Sequence, residues 1–147
     1  MSDQTLTALK DAHAFRLGRI NRLLRRHLIS VVAKVDPAIS PEQFVLILRL
    51  AESDGLYQGD LVDPELDDRP NITRQIQGLR TRGLVRAEAD PEDRRRKRLF
   101  LTQDGHHLFS RLAPHVVENR LALFGSLPSA DLAAFERVLT HLEEALS

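Results

Sequence analysis

The chain of 147 residues contains no cysteine, which excludes structural disulfides, thiolate metal sites and a cysteine redox sensor. It also has no net charge, because 21 Lys plus Arg balance 21 Asp plus Glu; no global field draws an anionic partner. No stretch approaches the ~18 uncharged apolar residues of a membrane span. Met1-Ser2-Asp3-Gln4 lacks the basic region and apolar run of a signal peptide. Enzyme signatures are missing as well: there is no G-x-S-x-G elbow, no phosphate-binding glycine loop and no dinucleotide fingerprint. Acid pairs such as Asp67-Asp68 lie in a charged segment unsuited to acid catalysis. The six histidines (His13, His27, His106, His107, His115, His141) fall in no metal-ligand spacing such as H-E-x-x-H. These absences predict a soluble cytoplasmic protein that is not an enzyme and needs no cofactor or metal. With 42% apolar residues the chain can build the core of one domain, residues 1–147.

What is present is a segregation of charge. Residues 69–98 hold ten basic and four acidic groups, a local charge of +6, so the other 117 residues carry −6. The stretch from Glu52 to Asp68 has seven acids and no base. Such separation points to a polyanion-facing surface better than total charge does, although a solvated charged face has the same composition.

Apolar residues at helical spacing (Leu9, Leu17, Ile20, Leu24, Leu28, Val31, Val32) predict a long first helix from about Thr7 to Ala33. At 1.5 Å per residue it would extend ~40 Å, more than a small domain covers with its own core; part of its stripe is expected to meet a second chain. Ser40-Pro41-Glu42-Gln43 is a helix start, with Ser40 as N-cap, Pro41 in the first turn and Gln43 placed for a capping box. That helix should run to about Glu52. A short or kinked helix is expected from Gln58 to Leu66, where Pro64 removes a backbone donor.

The next helix should begin at Pro70 and end before Gly83, which suits the left-handed position of a Schellman motif with Leu84 folding back on Leu79. Ile72, Ile76 and Leu79 form its buried stripe, and the other face presents Arg74, Gln77, Gly78 and Thr81, flanked by Asn71 and Thr73. Gly78 costs a helix ~1 kcal/mol relative to Ala, which suits close approach of another backbone and is also compatible with simple tolerance. Residues 84–88 and 98–102 then read as two strands around the turn Asp90-Pro91-Glu92-Asp93, a hairpin with the basic run Arg94-Arg95-Arg96-Lys97-Arg98 at its tip. Alternation in a strand lets two or three of these reach phosphate; shielding of an exposed edge strand is the other use of such charge. Two helices close the chain, about Gln103–Phe124 with Thr102 as N-cap and Pro114 inside, and about Ser129–Leu146.

Three helices followed by a basic hairpin describe a mainly α winged helix-turn-helix with a two-stranded wing, in which the last of the three helices enters the DNA major groove. Arg74 can donate a bidentate pair to guanine, and Gln77 or Asn71 can pair with adenine; Thr73 can meet a phosphate or a thymine methyl. An arginine at the wing tip suits a narrow minor groove.

Asp93-Arg94-Arg95, five residues, then Leu101-Thr102-Gln103-Asp104-Gly105 resembles the D-x-R-x5-L-T-x-x-G wing signature of the multiple antibiotic resistance regulator (MarR) family. Asp68-Arg69-Pro70-Asn71-Ile72-Thr73-Arg74 and Leu79-Arg80-Thr81-Arg82-Gly83-Leu84-Val85 look like that family's recognition helix and its exit. The resemblance implies a homodimeric transcription regulator, usually a repressor, on an imperfect palindrome of double-stranded DNA. It implies that residues 7–35 and 103–147 are dimerisation helices and 40–102 the DNA-binding lobe. It places Thr73, Arg74 and Gln77 in the major groove, Arg95 in the minor groove between Arg94 and Arg96, and Asp93 as the residue that orients the wing by pairing with an arginine. In many members a small aromatic or phenolic acid binds where the dimer helices meet the DNA-binding lobe. Position alone leaves Arg16, His13 and His27 open as ligand contacts, and none is assigned. The reading in another class is a winged-helix interaction module without DNA binding, whose acidic block docks a basic partner.

Overall fold

The computed structural model describes residues 12–62 and 69–147. The long amino-terminal helix is present as α1 (His13–Ala33); the predicted start at Thr7 lies outside the described residues. Only the carboxy-terminal part of α1 reaches the core, through Val31 and Val32. Its apolar stripe continues outward in Phe15, Leu17, Ile20 and Leu24, all exposed, as expected of a helix longer than the core it serves.

Helix α2 (Pro41–Glu52) starts as its sequence dictates: the Ser40 hydroxyl accepts from the Gln43 amide at 3.1 Å, and the Gln43 side chain accepts from the Ser40 amide at 3.2 Å. This reciprocal pair satisfies two of the donors that every helix start leaves open. Phe44, Ile47 and Leu50 then point inward.

Beyond α2 the helix expected from Gln58 to Leu66 is short as far as Val62, and its residues 63–66 lie outside the described residues. Leu56–Tyr57 form a two-residue strand β1, followed by a 3-10 turn Gln58–Leu61; the Pro64 kink lies outside the described residues. Two residues are too few to register as alternation, so β1 has no sequence signature. It makes the wing sheet three-stranded rather than two-stranded, in the order β1-β3-β2, all antiparallel. The predicted hairpin is there, with β2 at Val85–Ala89 and β3 at Lys97–Leu101. Strand β3 is central, pairing Leu99 with Leu56 on one side and with Ala87 on the other.

Helix α3 (Arg69–Thr81) buries Ile72, Ile76 and Leu79 as its period predicts. Its exit is a complete Schellman motif. Gly83 takes φ +70° and donates to the Arg80 carbonyl at 2.9 Å, while the Leu84 amide reaches the Leu79 carbonyl at 3.0 Å. Helices α4 (Gln103–Phe124) and α5 (Ser129–Leu146) occupy the spans expected of them. The core gathers Val32, Ile47, Leu50, Leu61, Leu79 and Leu112, so α1, α2, α3, the sheet and the first half of α4 share one apolar interior. Helix α5 contributes no buried residue.

One junction joins the exit of α3 to the start of α4. The Thr102 hydroxyl accepts from the Gly105 amide at 3.1 Å, capping α4, and donates to the Gly83 carbonyl at 2.6 Å. The Thr102 amide donates to the Leu84 carbonyl at 3.0 Å. Gly105 lies against the same carbonyl, and a Cβ there would stand 2.2 Å from that oxygen. The threonine and glycine of L-T-x-x-G are therefore a capped, close-packed crossing of two chain segments. Replacing Gly105 with Ala is expected to cost roughly 1–3 kcal/mol, as overpacking against a backbone atom does, and a denaturant titration reads it as a lowered midpoint at unchanged slope.

Candidate nucleic-acid interface

Helix α3 and the wing stand side by side, and the space between them is a cleft of about 400 Å³. Arg80 on α3, Arg95, Arg96 and Lys97 on the wing, and Gln58 and Asp60 on the 3-10 turn line it, over a floor that includes Ile76 and Leu99. The segment with local charge +6 thus folds so that Arg80 from its middle and the basic run at its carboxy-terminal end share one concavity.

On α3, Thr73, Arg74 and Gln77 are exposed and Asn71 is half-buried. Arg74 makes no side-chain hydrogen bond to any of the described residues, so its guanidinium is presented outward. Thr73 is engaged on both sides: its hydroxyl donates to the Arg69 carbonyl at 2.9 Å and accepts from Gln58 Nε2 at 2.6 Å. Gln77 Oε1 accepts from Arg80 at 3.4 Å, and Asn71 Oδ1 accepts from Gln75 Nε2 at 3.5 Å. Gln58 was not anticipated; nothing in the sequence connects it to a helix fifteen residues away.

Gly78 answers a different need from the one its exposed position suggested. A Cβ there would stand 2.9 Å from Gln43 Nε2, and that same nitrogen donates to the Gln75 carbonyl at 3.4 Å. What approaches Gly78 is therefore the Gln43 side chain of α2, not another backbone. Buried Gln43 links the cap of α2 to the middle of α3 and fixes how the two helices cross.

The wing sorts its arginines. Arg94 and Arg95 are exposed. Arg96 lies with its guanidinium carbon 3.7 Å from the centroid of the Tyr57 ring. Arg98 turns inward: its Nε donates to Asp90 at 2.8 Å, and its guanidinium is 5.4 Å from the same ring. The arginine partner expected for Asp93 therefore belongs to Asp90. Asp93 instead accepts the Arg95 amide at 3.0 Å through its carboxylate and the Arg96 amide at 2.9 Å through its carbonyl. It shapes the tip through backbone contacts, because its short side chain lies within reach of the amide two residues on.

Asp90 is 2% exposed and its carboxylate is fully used. One oxygen accepts from the amides of Glu92 at 2.7 Å and Asp93 at 3.2 Å; the other accepts from the Tyr57 hydroxyl and Arg98. Burial without these partners would be costly. The Tyr57 hydroxyl, then Arg98, then the Glu92 amide hold the carboxyl well below the usual carboxylate range. The turn that the sequence marks at Asp90 is thus also the base of the wing, locked to β1.

Away from this face, a cavity of about 430 Å³ lies where α1 meets α4, lined by Ile20, Leu23, Leu24, Arg26, His27, Ser30 and Leu123. Among the described residues there is no group of three or more His, Asp or Glu side chains placed to hold a metal. No described helix is long and apolar enough to cross a membrane.

Residues 39–97 match the family model described as the MarR family. The chain is 30% identical to a MarR transcriptional regulator from Methanosarcina mazei Go1, with 90% of this chain and 96% of that one covered and a TM-score of 0.72. It is 26% identical to the transcriptional repressor CouR bound to a 23-mer DNA duplex, with 95% and 96% covered and a TM-score of 0.76. Among curated proteins it is 27% identical over 78 residues to the transcriptional regulator HosA of Escherichia coli O111:H-, a match covering 53% of this chain and 58% of HosA. The chain thus matches a little over half the length of that relative.

A carboxyl whose folded-state pKa is depressed stabilises the fold fully above its ordinary value, 3.8 for Asp90, and loses that contribution as pH falls toward the depressed one. The Glu92 and Asp93 amides are therefore expected to hold constant protection between neutral pH and the ordinary aspartate value, and to lose it on further acidification. Amide hydrogen exchange, corrected for intrinsic rates, measures this; Asp90→Asn, whose Oδ1 still accepts but does not titrate, should abolish the pH dependence, and Asp90→Ala should remove the protection at all pH values.

Proposed function

The chain belongs to the MarR family, and from that premise we propose that it acts as a homodimeric repressor that binds a palindromic operator and is released by a small aromatic or phenolic ligand. The observation that carries the DNA-binding part is the cleft between α3 and the wing, with Arg80, Arg95, Arg96 and Lys97 around it. In this reading Arg74, Gln77, Thr73 and Asn71 of α3 face the major groove, and Arg94, Arg95 and Arg96 meet the backbone and the adjacent minor groove. Arg74 is the base-reading residue, because it is exposed on α3 and makes no side-chain hydrogen bond or ion pair to the described residues. Thr73 reads through the hydroxyl geometry that Gln58 and Arg69 impose on it.

Dimerisation is supported by what a single copy leaves uncovered. Phe15 is 62% exposed and Leu121 61%, and Ile20, Val117, Phe135 and Val138 are exposed with them. Helix α5 buries none of its apolar residues fully: Phe135, Val138 and Leu146 are exposed, and Leu132 and Leu142 are half-buried. Apolar surface of that extent marks an association site. We assign 7–35 and 103–147 to the dimer interface and 40–102 to the DNA-binding lobe. The cavity at α1 and α4 is apolar apart from Arg26, His27 and Ser30, a lining that suits a planar apolar body with one anionic end.

Selection of bound duplexes from a random pool tests the reading: a palindromic site should emerge, with log K falling steeply against log salt. Arg74→Ala is expected to cost roughly 1–3 kcal/mol in binding and to relax base preference at one position per half-site. Removal of the residues before Ser40 is expected to give monomers or aggregates in sedimentation; a well-behaved truncated dimer would contradict the assignment of α1. Small aromatic acids should release the duplex from the intact protein, with the release weakened in Arg26→Ala.

A further inference from the structure

Tyr57 has no place among the residues that the winged-helix reading uses. It lies on β1, a strand of two residues, yet it is the point at which three parts of the wing converge. Its hydroxyl donates to Asp90, which caps the turn through the amides of Glu92 and Asp93. Its ring carries the Arg96 guanidinium at 3.7 Å and stands 5.4 Å from that of Arg98. Its backbone is fixed from two further directions: β1 pairs it with Arg98 of β3, and its amide donates to Asp60 at 2.8 Å within the 3-10 turn. That same turn carries Gln58, which bonds to Thr73 on α3. One short segment therefore touches both the base of the wing and the exposed face of α3.

We infer that Tyr57 is a positioning residue for DNA binding, a latch whose hydroxyl holds the wing turn through Asp90 and whose ring holds Arg96 at a set height beside the recognition helix. The inference rests on the DNA-binding reading above. Its physical basis is the loss of freedom it removes. An arginine at the tip of a hairpin samples many rotamers, and fixing it on binding costs affinity. A guanidinium stacked on a phenol ring is already ordered before the duplex arrives. Tyr57 touches neither base nor phosphate in this assignment; it acts through Asp90 and Arg96.

The test measures operator affinity for the wild type, Tyr57→Phe, Tyr57→Leu, Arg96→Ala and the Tyr57→Leu/Arg96→Ala pair. Loss of the hydroxyl bond alone in Tyr57→Phe should weaken binding roughly 3–10-fold, the fold-change of a typical hydrogen bond. Tyr57→Leu should weaken it further, and by a smaller factor when Arg96 is already Ala, because the two act as one unit. A merely structural tyrosine would lower the thermal midpoint and give independent, multiplicative losses. Binding equal to wild type in both Tyr57 variants, or multiplicative losses in the pair, overturns the inference. Amide exchange reads the latch without DNA: in Tyr57→Phe the Glu92 and Asp93 amides should exchange faster while core amides do not, and unchanged exchange overturns it as well. A wild type that ignores every duplex overturns the functional reading instead, a result distinct from these.

Discussion

The crossing of the chain at Thr102 and Gly105 governs the rest of the molecule. There the last residues of the α3 exit, Gly83 and Leu84, supply carbonyls to Thr102, and Thr102 in turn starts α4. The helix that carries the exposed polar face and the helix that runs toward the other end of the molecule are thus joined by hydrogen bonds and a contact no side chain fits into, not by a flexible linker. Packed crossings of this kind shift between discrete arrangements and do not bend continuously. A displacement of α4 must be passed to α3, and any account of control in this protein has to go through that point or around it.

Around it run a small number of surface ties. Arg82 at the end of α3 pairs with Asp36 in the loop before α2, Arg25 on α1 pairs with Glu42 on α2, and Arg111 on α4 donates to the Val35 carbonyl at 3.4 Å. Each is exposed enough to be worth little alone. Their value is in direction: Arg25 ties α1 to α2, Arg111 ties α4 to the segment that follows α1, and Arg82 ties the exit of α3 to the loop before α2. The arginines of this chain therefore divide by occupation. Some tie neighbouring elements together, Arg49 and Arg86 are engaged with the Leu61 carbonyl and with Glu88, Arg98 neutralises a buried carboxylate, and Arg74, Arg94 and Arg95 stay exposed for a polyanion. That division explains how a protein with no net charge presents a basic face.

Much of this architecture could be read in advance, and the parts that could not share a physical cause. Local signals were sufficient for the capping box at Ser40 and Gln43, the left-handed Gly83, the Thr102 cap and the spans of α4 and α5, because each depends on residues within one turn of one another. The buried stripe of α3 followed from its period. What escaped depends on pairs far apart in sequence. Strand β1 exists because β3 offers it an edge, the partner of Asp90 is Tyr57, and the neighbour of Gly78 is Gln43. The exchange of Asp93 for Asp90 as arginine partner shows the same limit. Both acids lie in the turn, and only the third dimension decides which of them faces Arg98.

Tyr57 is the chain's one tyrosine, and there is no tryptophan. The longest-wavelength ultraviolet emission of the protein therefore originates from a single phenol wedged between a carboxylate and a guanidinium at the root of the wing. What in most proteins is an average over many rings is here a local optical probe, built into the root of the wing itself.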